Sequence, residues 1–145
     1  MVWSLKADRE GFLFSIADAA LAHNARRIFG RYLTAQADPE SDVYAAELIF
    51  GELVANVARH APGPIRVRLR WNGYDGATLI VEDSGAGYAF DARLPDALAE
   101  DHRGLYIVAK LADTVAVQRT SDGCMTSVGL PARRRRARGS SAPRA

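Results

Sequence analysis

Cysteine is nearly absent from this chain: Cys124 is the only one in 145 residues. No intrachain disulfide can form, and the cysteine-rich zinc classes are excluded. A chain without disulfides fits a reducing cytoplasm, which is the expected location. Long apolar runs are missing too. None reaches the ~20 residues that a membrane-spanning helix needs, so no membrane partner is expected. The first ten residues, MVWSLKADRE, carry two acids and no long apolar stretch, so no secretory signal is expected there. Acids are missing from the C-terminal end. Six of the 19 basic residues follow Pro131 and none of the 17 acids does, which leaves the body with 13 against 17, a charge of −4. The basic whole-chain balance therefore does not mark a nucleic-acid-binding domain. The arginines Arg133–Arg136, Arg138 and Arg144 read as a solvated tail, which lacks interleaved aromatics for stacking on bases.

Hydrophobic residues make up 48% and charged residues 25%, which excludes a mostly disordered chain. The length suits one domain with a real core. Residues 11–17 alternate as a strand. Leu21, Ala25, Ile28, Phe29, Tyr32 and Leu33 then follow helical spacing. A second helix starts at Ser41 or Asp42, with Ala46, Phe50, Leu53, Val54, Val57 and Ala61 as its apolar stripe. Pro62-Gly63-Pro64 stops it. Ile65, Val67, Leu69 and Trp71 alternate with Arg66, Arg68 and Arg70: a strand with one wet face. The turn Asn72–Gly76 leads to a strand over 77–82. A helix is expected over 103–113, then strands over 114–119 and 126–130. The order β-α-α-β-β-loop-α-β-β predicts an α+β two-layer sandwich, with helices covering one face of a mixed, mostly antiparallel sheet.

Three segments carry chemistry. In the first, Glu52, Asn56 and His60 stand four apart on the second helix and share one stripe. A carboxylate, an amide and an imidazole can point together into a cleft, although a solvated helix face gives the same spacing. Asparagine offers an oxygen suited to Mg²⁺, and glutamate one turn earlier can take a hydroxyl proton. In the second, a strand runs into Asp83-Ser84-Gly85-Ala86-Gly87. An aspartate fixed at a strand end can accept a hydrogen bond from an exocyclic amine such as that of adenine. The glycines allow close approach to a flat ligand, though an ordinary turn has the same composition. In the third, Arg103-Gly104-Leu105 opens an apolar helix whose N–H groups suit phosphate.

Taken in order, helix with E-x-x-x-N-x-x-x-H, strand with D-x-G-x-G, long loop, then R-G-L, the chain resembles the ATP-binding fold of gyrase B, the heat-shock chaperone, histidine kinases and MutL. Its compact single-domain form is similar to bacterial anti-sigma-factor serine/threonine kinases. The resemblance spans residues 10–131 as an ATP-binding, histidine-kinase-like ATPase domain, with 132–145 as a basic disordered tail. It implies Glu52 as catalytic base and Asn56 as the Mg²⁺ ligand. His60, Arg103 and Gly104 would lie near the phosphates, and Asp83, Gly85 and Gly87 would form the adenine pocket. It further implies Thr126 as the support of Asp83 and the adenine, the 88–102 loop as a lid, and Arg26, on the outer side of the first helix, as a partner contact. Two positions depart from the family pattern: His102 and Met125 stand where glycine is usual.

The function so implied is an ATP- and Mg²⁺-dependent serine/threonine protein kinase. It would hold a sigma factor and phosphorylate a small antagonist protein, as a homodimer and without direct contact to nucleic acid. A non-catalytic ATP-dependent binding switch and a detached histidine-kinase catalytic domain are the alternatives.

Overall fold

Alternation along β3 (Ile65–Trp71) sets the orientation of the sheet. Ile65, Val67, Leu69 and Trp71 are buried, and the three arginines between them are exposed. The computed structural model describes residues 4–7, 11–16, 22–60, 63–85 and 100–136. Within them β1 (Ser4–Ala7), β2 (Gly11–Ile16), β3, β4 (Ala77–Asp83), β5 (Thr114–Thr120) and β6 (Gly123–Leu130) form one sheet. Its order is β1-β2-β3-β4-β6-β5. The helices α1 (Ala22–Gln36), α2 (Val43–His60) and α3 (Glu100–Leu111) complete the second layer. The α+β sandwich is as expected.

Several details differ from the sequence reading. Every neighbouring strand pair is antiparallel, so the described sheet is not mixed. β1 was not anticipated; four residues are too few to show a period. β6 starts at Gly123 rather than Thr126, because Cys124 continues the buried alternation of Thr126, Val128 and Leu130. α3 starts at Glu100, three residues before Arg103. Most of the expected lid, residues 88–99, lies outside the described residues.

α2 begins where Asp42 caps it. The Asp42 Oδ1 accepts the N–H of Ala45 at 3.0 Å, and its carbonyl accepts the N–H of Ala46. This satisfies donors that a helix start leaves open. α1 and α2 meet through Phe29 and Phe50, stacked with centroids 4.4 Å apart. Leu33, Ile49 and Leu53 join them over Val67, Leu79, Val81 and Val128 of the sheet. Each such side chain, fully buried, contributes roughly 1.5–3 kcal/mol. Trp71 satisfies its buried indole by donating to the Tyr32 hydroxyl at 2.9 Å.

The segment after Pro131 corrects the expected tail. Residues 132–136 lie along the C-terminal end of α1 and the connection to α2; residues 137–145 are outside the described residues. Ala132 is buried. The N–H of Asp38 donates to the carbonyl of Arg133 at 2.7 Å, and the N–H of Arg133 donates to Ser41 Oγ at 2.8 Å. The N–H of Arg135 reaches the carbonyl of Gln36 at 2.7 Å, and its side chain donates to the carbonyls of Ala37 and Thr34 at 3.3 and 3.5 Å. α1 has no basic residue in its last turn. Arg135 supplies from outside the cation and the donors that a helix C-terminus lacks. Arg134 and Arg136 stand 5.7 and 4.7 Å from the ring centroid of Tyr74, a favourable cation–π distance.

A chain ended after Pro131 is therefore expected to unfold about 3 kcal/mol more easily than one ended after Arg136, at ~1 kcal/mol for each backbone hydrogen bond lost. Urea midpoints of the two truncations measure it. Equal midpoints would show that the strap adds no stability.

Candidate functional site

The site lies where α2 passes α3 and the end of β4. On α2, Asn56 is only 3% exposed, and its Nδ2 has no hydrogen-bond partner among the described residues. Native proteins rarely leave a buried amide donor unmade, because the group keeps its full desolvation cost. The orphan therefore marks a place prepared for a ligand. One turn earlier, Glu52 is half-buried. Its carboxylate rests on α3: a Cβ added at Gly104 would collide with Glu52 Oε2. Glycine here lets the carboxylate lie directly against α3; a larger residue would push it aside. Gly104 does not open α3, contrary to the sequence expectation. It is the fifth residue of α3, past the N–H groups that a helix leaves open.

The other wall comes from the sheet. Asp83, the last residue of β4, follows the parity of the core-facing Leu79 and Val81. Its Oδ1 accepts the N–H of Gly85 at 2.7 Å, so this oxygen is engaged by the local turn. No other hydrogen bond to the carboxylate occurs among the described residues, which leaves Oδ2 for a ligand donor. In the β4–β6 register Asp83 faces Cys124, and Val81 faces Thr126. Thr126 is fully buried on the core side, diagonal to Asp83. Met125 has the opposite parity and pairs with Glu82 on the open face, so its side chain does not intrude on the core side.

His60 is the last residue of α2 and Arg103 lies in the first turn of α3. Their side chains, and Gly87, fall outside what the structure describes. Arg26 does not project from the outer side of α1 as expected. It is half-buried in the groove between helices, where a Cβ on Gly51 would come within 3.1 Å of its guanidinium. A separate cavity of about 500 Å³ opens at the same end of the sheet and has Asp83 in its wall, together with Arg66, Glu82, Asp122 and Met125. Neither Glu52 nor Asn56 lines it, so it is not where amide and carboxylate converge.

The donor set fits a nucleotide better than a resident metal. Among the described residues no three His, Cys, Asp or Glu side chains are grouped to hold an ion. A lone amide suits a hard cation that arrives with phosphates and keeps its waters, as Mg²⁺ does. The same amide's N–H₂ suits a phosphate oxygen.

The whole constellation lies within a family match: residues 15–129 match the histidine kinase-like ATPase domain. The chain belongs to this family. A comparison with curated proteins found no match. For a histidine kinase-like ATPase domain, ATP binding is the chemistry to which Asn56, Asp83 and Thr126 are suited. The match ends before the strap at 132–136. No helix among the described residues is long and apolar enough to cross a membrane.

One further residue bears on the site. Gly123 packs against the backbone of Asp83 and Ser84. In the sequence it ends the Ser121-Asp122-Gly123 turn, two residues before Met125, where glycine is usual; the register that brings it to Asp83 is a tertiary fact.

Proposed function

We propose that this domain is an ATP-dependent serine/threonine protein kinase of the anti-sigma-factor type. It holds a sigma factor and phosphorylates a small antagonist protein, as a cytoplasmic homodimer. The observation that carries the reading is the orphaned amide of Asn56, one helical turn from a carboxylate seated on Gly104. A site that only bound nucleotide would need the amide. A carboxylate beside it, only half-buried, adds a group able to take a proton.

When bound, Mg·ATP supplies the phosphoryl group and neutralises its charge. Asn56 would hold Mg²⁺ through its amide oxygen, leaving the unpaired N–H₂ to a phosphate oxygen. Asp83 would orient the base by accepting the adenine amine, while the N–H of Gly85 holds its Oδ1. Thr126 braces Asp83 from β6. His60, Arg103 and the lid segment 88–102 would attend the phosphates. Glu52 accepts the proton of the attacking serine or threonine hydroxyl. Rate enhancement rests on positioning and on charge placed in a water-poor site.

Nucleotide binding is tested by melting. At a hundredfold excess over Kd, Mg·ATP stabilises the native state by ~2.7 kcal/mol, a rise on the order of 10 °C for a chain of this size. No rise at millimolar Mg·ATP rejects the reading. Labelled phosphate transfer to a small antagonist protein tests the kinase step. Binding without transfer to any authentic partner would make the domain an ATP-dependent binding switch instead.

A further inference from the structure

The geometry points to Gly123 as the positioning residue that gives the site its preference for an amine-bearing purine, by fixing the height of the Asp83 carboxylate. This inference rests on the nucleotide-binding reading above and deepens it.

Gly123 opens β6 directly across from the end of β4, since its neighbour Cys124 is the register partner of Asp83. A Cβ at Gly123 would land on the carbonyl oxygen of Asp83, 2.8 Å from the carbonyl carbon and 2.8 Å from Cα of Ser84. All three are backbone atoms. They cannot rotate aside as the end of a side chain can, so any side chain at 123 must displace the Asp83–Ser84 peptide. That peptide lies between the carboxylate and its anchor. Asp83 Oδ1 is tied to the N–H of Gly85 at 2.7 Å, two residues on. Moving it tilts the carboxylate, and with it Oδ2, the oxygen left for the ligand. A hydrogen bond weakens steeply as its angle falls, so a small tilt is enough to lose an amine donor.

Gly129 provides the matched control. It lies in the same strand, and a Cβ there would come 2.7 Å from Thr114 Oγ1, the end of a side chain that can turn away. It pairs with Thr78 at the far end of β4 and has no contact with Asp83.

The experiment compares ATP with inosine triphosphate, which has the same sugar and phosphates but a carbonyl in place of the amine. Affinities of the full chain for both are measured by calorimetry with Mg²⁺. Wild type should prefer ATP by about ten- to a hundredfold, the worth of a hydrogen bond to a charged group. Gly123→Ala should bring that ratio near unity by weakening ATP alone, with no fall for inosine triphosphate. Gly129→Ala should keep the wild-type ratio. If Gly123→Ala does not fold, Gly123→Ala with Ser84→Gly gives the displaced peptide the freedom to yield, and the same collapse of the ratio is expected.

A retained ratio in either variant overturns the proposal, as does equal weakening of both nucleotides. A double variant that still fails to fold also overturns it, because Gly123 would then be required for folding rather than for placement. Failure of the underlying reading is visible in wild type alone: a chain that binds neither nucleotide, or both equally, leaves Asp83 with no amine to read.

Discussion

Glu52→Gln is expected to lower phosphoryl transfer by about 10²–10⁴-fold, the usual worth of a general base, while the ATP-induced rise in melting temperature stays. Glutamine keeps the size of the side chain and its hydrogen-bonding end, so the notch at Gly104 remains filled. It loses the charge and the lone pair that would take the hydroxyl proton. Glu52 lies against α3 at Gly104, while Asp83 is held by the turn at Gly85, so base recognition is expected to survive the change. Two measurements on the same variant separate the roles: transfer of labelled phosphate, and melting with and without Mg·ATP. Wild-type transfer would remove Glu52 from the chemistry. Loss of the melting rise along with transfer would make it an organiser of the site instead of a base.

Asn56→Leu is expected to move stability and function in opposite directions. The amide is buried with an unmade donor, a cost of roughly 1–3 kcal/mol that an apolar side chain of similar size avoids. The variant should therefore unfold at higher denaturant than wild type. Its affinity for Mg·ATP should fall by about 10²-fold, because hydrogen bonds to charged groups are worth ~1.5–3 kcal/mol each. Urea unfolding and nucleotide titration of one preparation give both numbers. Functional sites often carry such a trade between stability and activity. A variant that loses stability would show that the amide is structurally engaged, and the main support for the site would fall.

Much of this was legible in the sequence for a definite reason. β3 alternates four apolar residues with three arginines, and α2 carries an apolar stripe ended by Pro62-Gly63-Pro64; in both, local period and tertiary burial agree. The spacing of Glu52 and Asn56 was legible on the same grounds. The burial of Asn56 was not. α3 packs against α2 only in the folded chain, and a solvated helix face has the same spacing. Gly104 reads as a helix opener until α3 is seen to begin at Glu100. Arg26 looks like an outward charge because its aliphatic stem, which lies over Gly51, has no signature in sequence. The strap after Pro131 was hidden most completely. Its arginine-rich composition is that of a solvated segment, and its hold on α1 runs largely through backbone groups that every residue possesses.

That strap also has a consequence for synthesis. Arg135 completes the C-terminal end of α1 by reaching back 98 residues to Ala37 and 101 to Thr34. A ribosome releases α1 early and its cap very late. During translation the last turn of that helix must wait, its carbonyls bonded to water, until nearly the whole sheet has emerged. Contacts so distant in sequence are slow to form and are made after local ones. Closure of the strap should therefore be among the latest events in folding, and a chain stalled before residue 135 would hold a helix layer not yet fastened at one end.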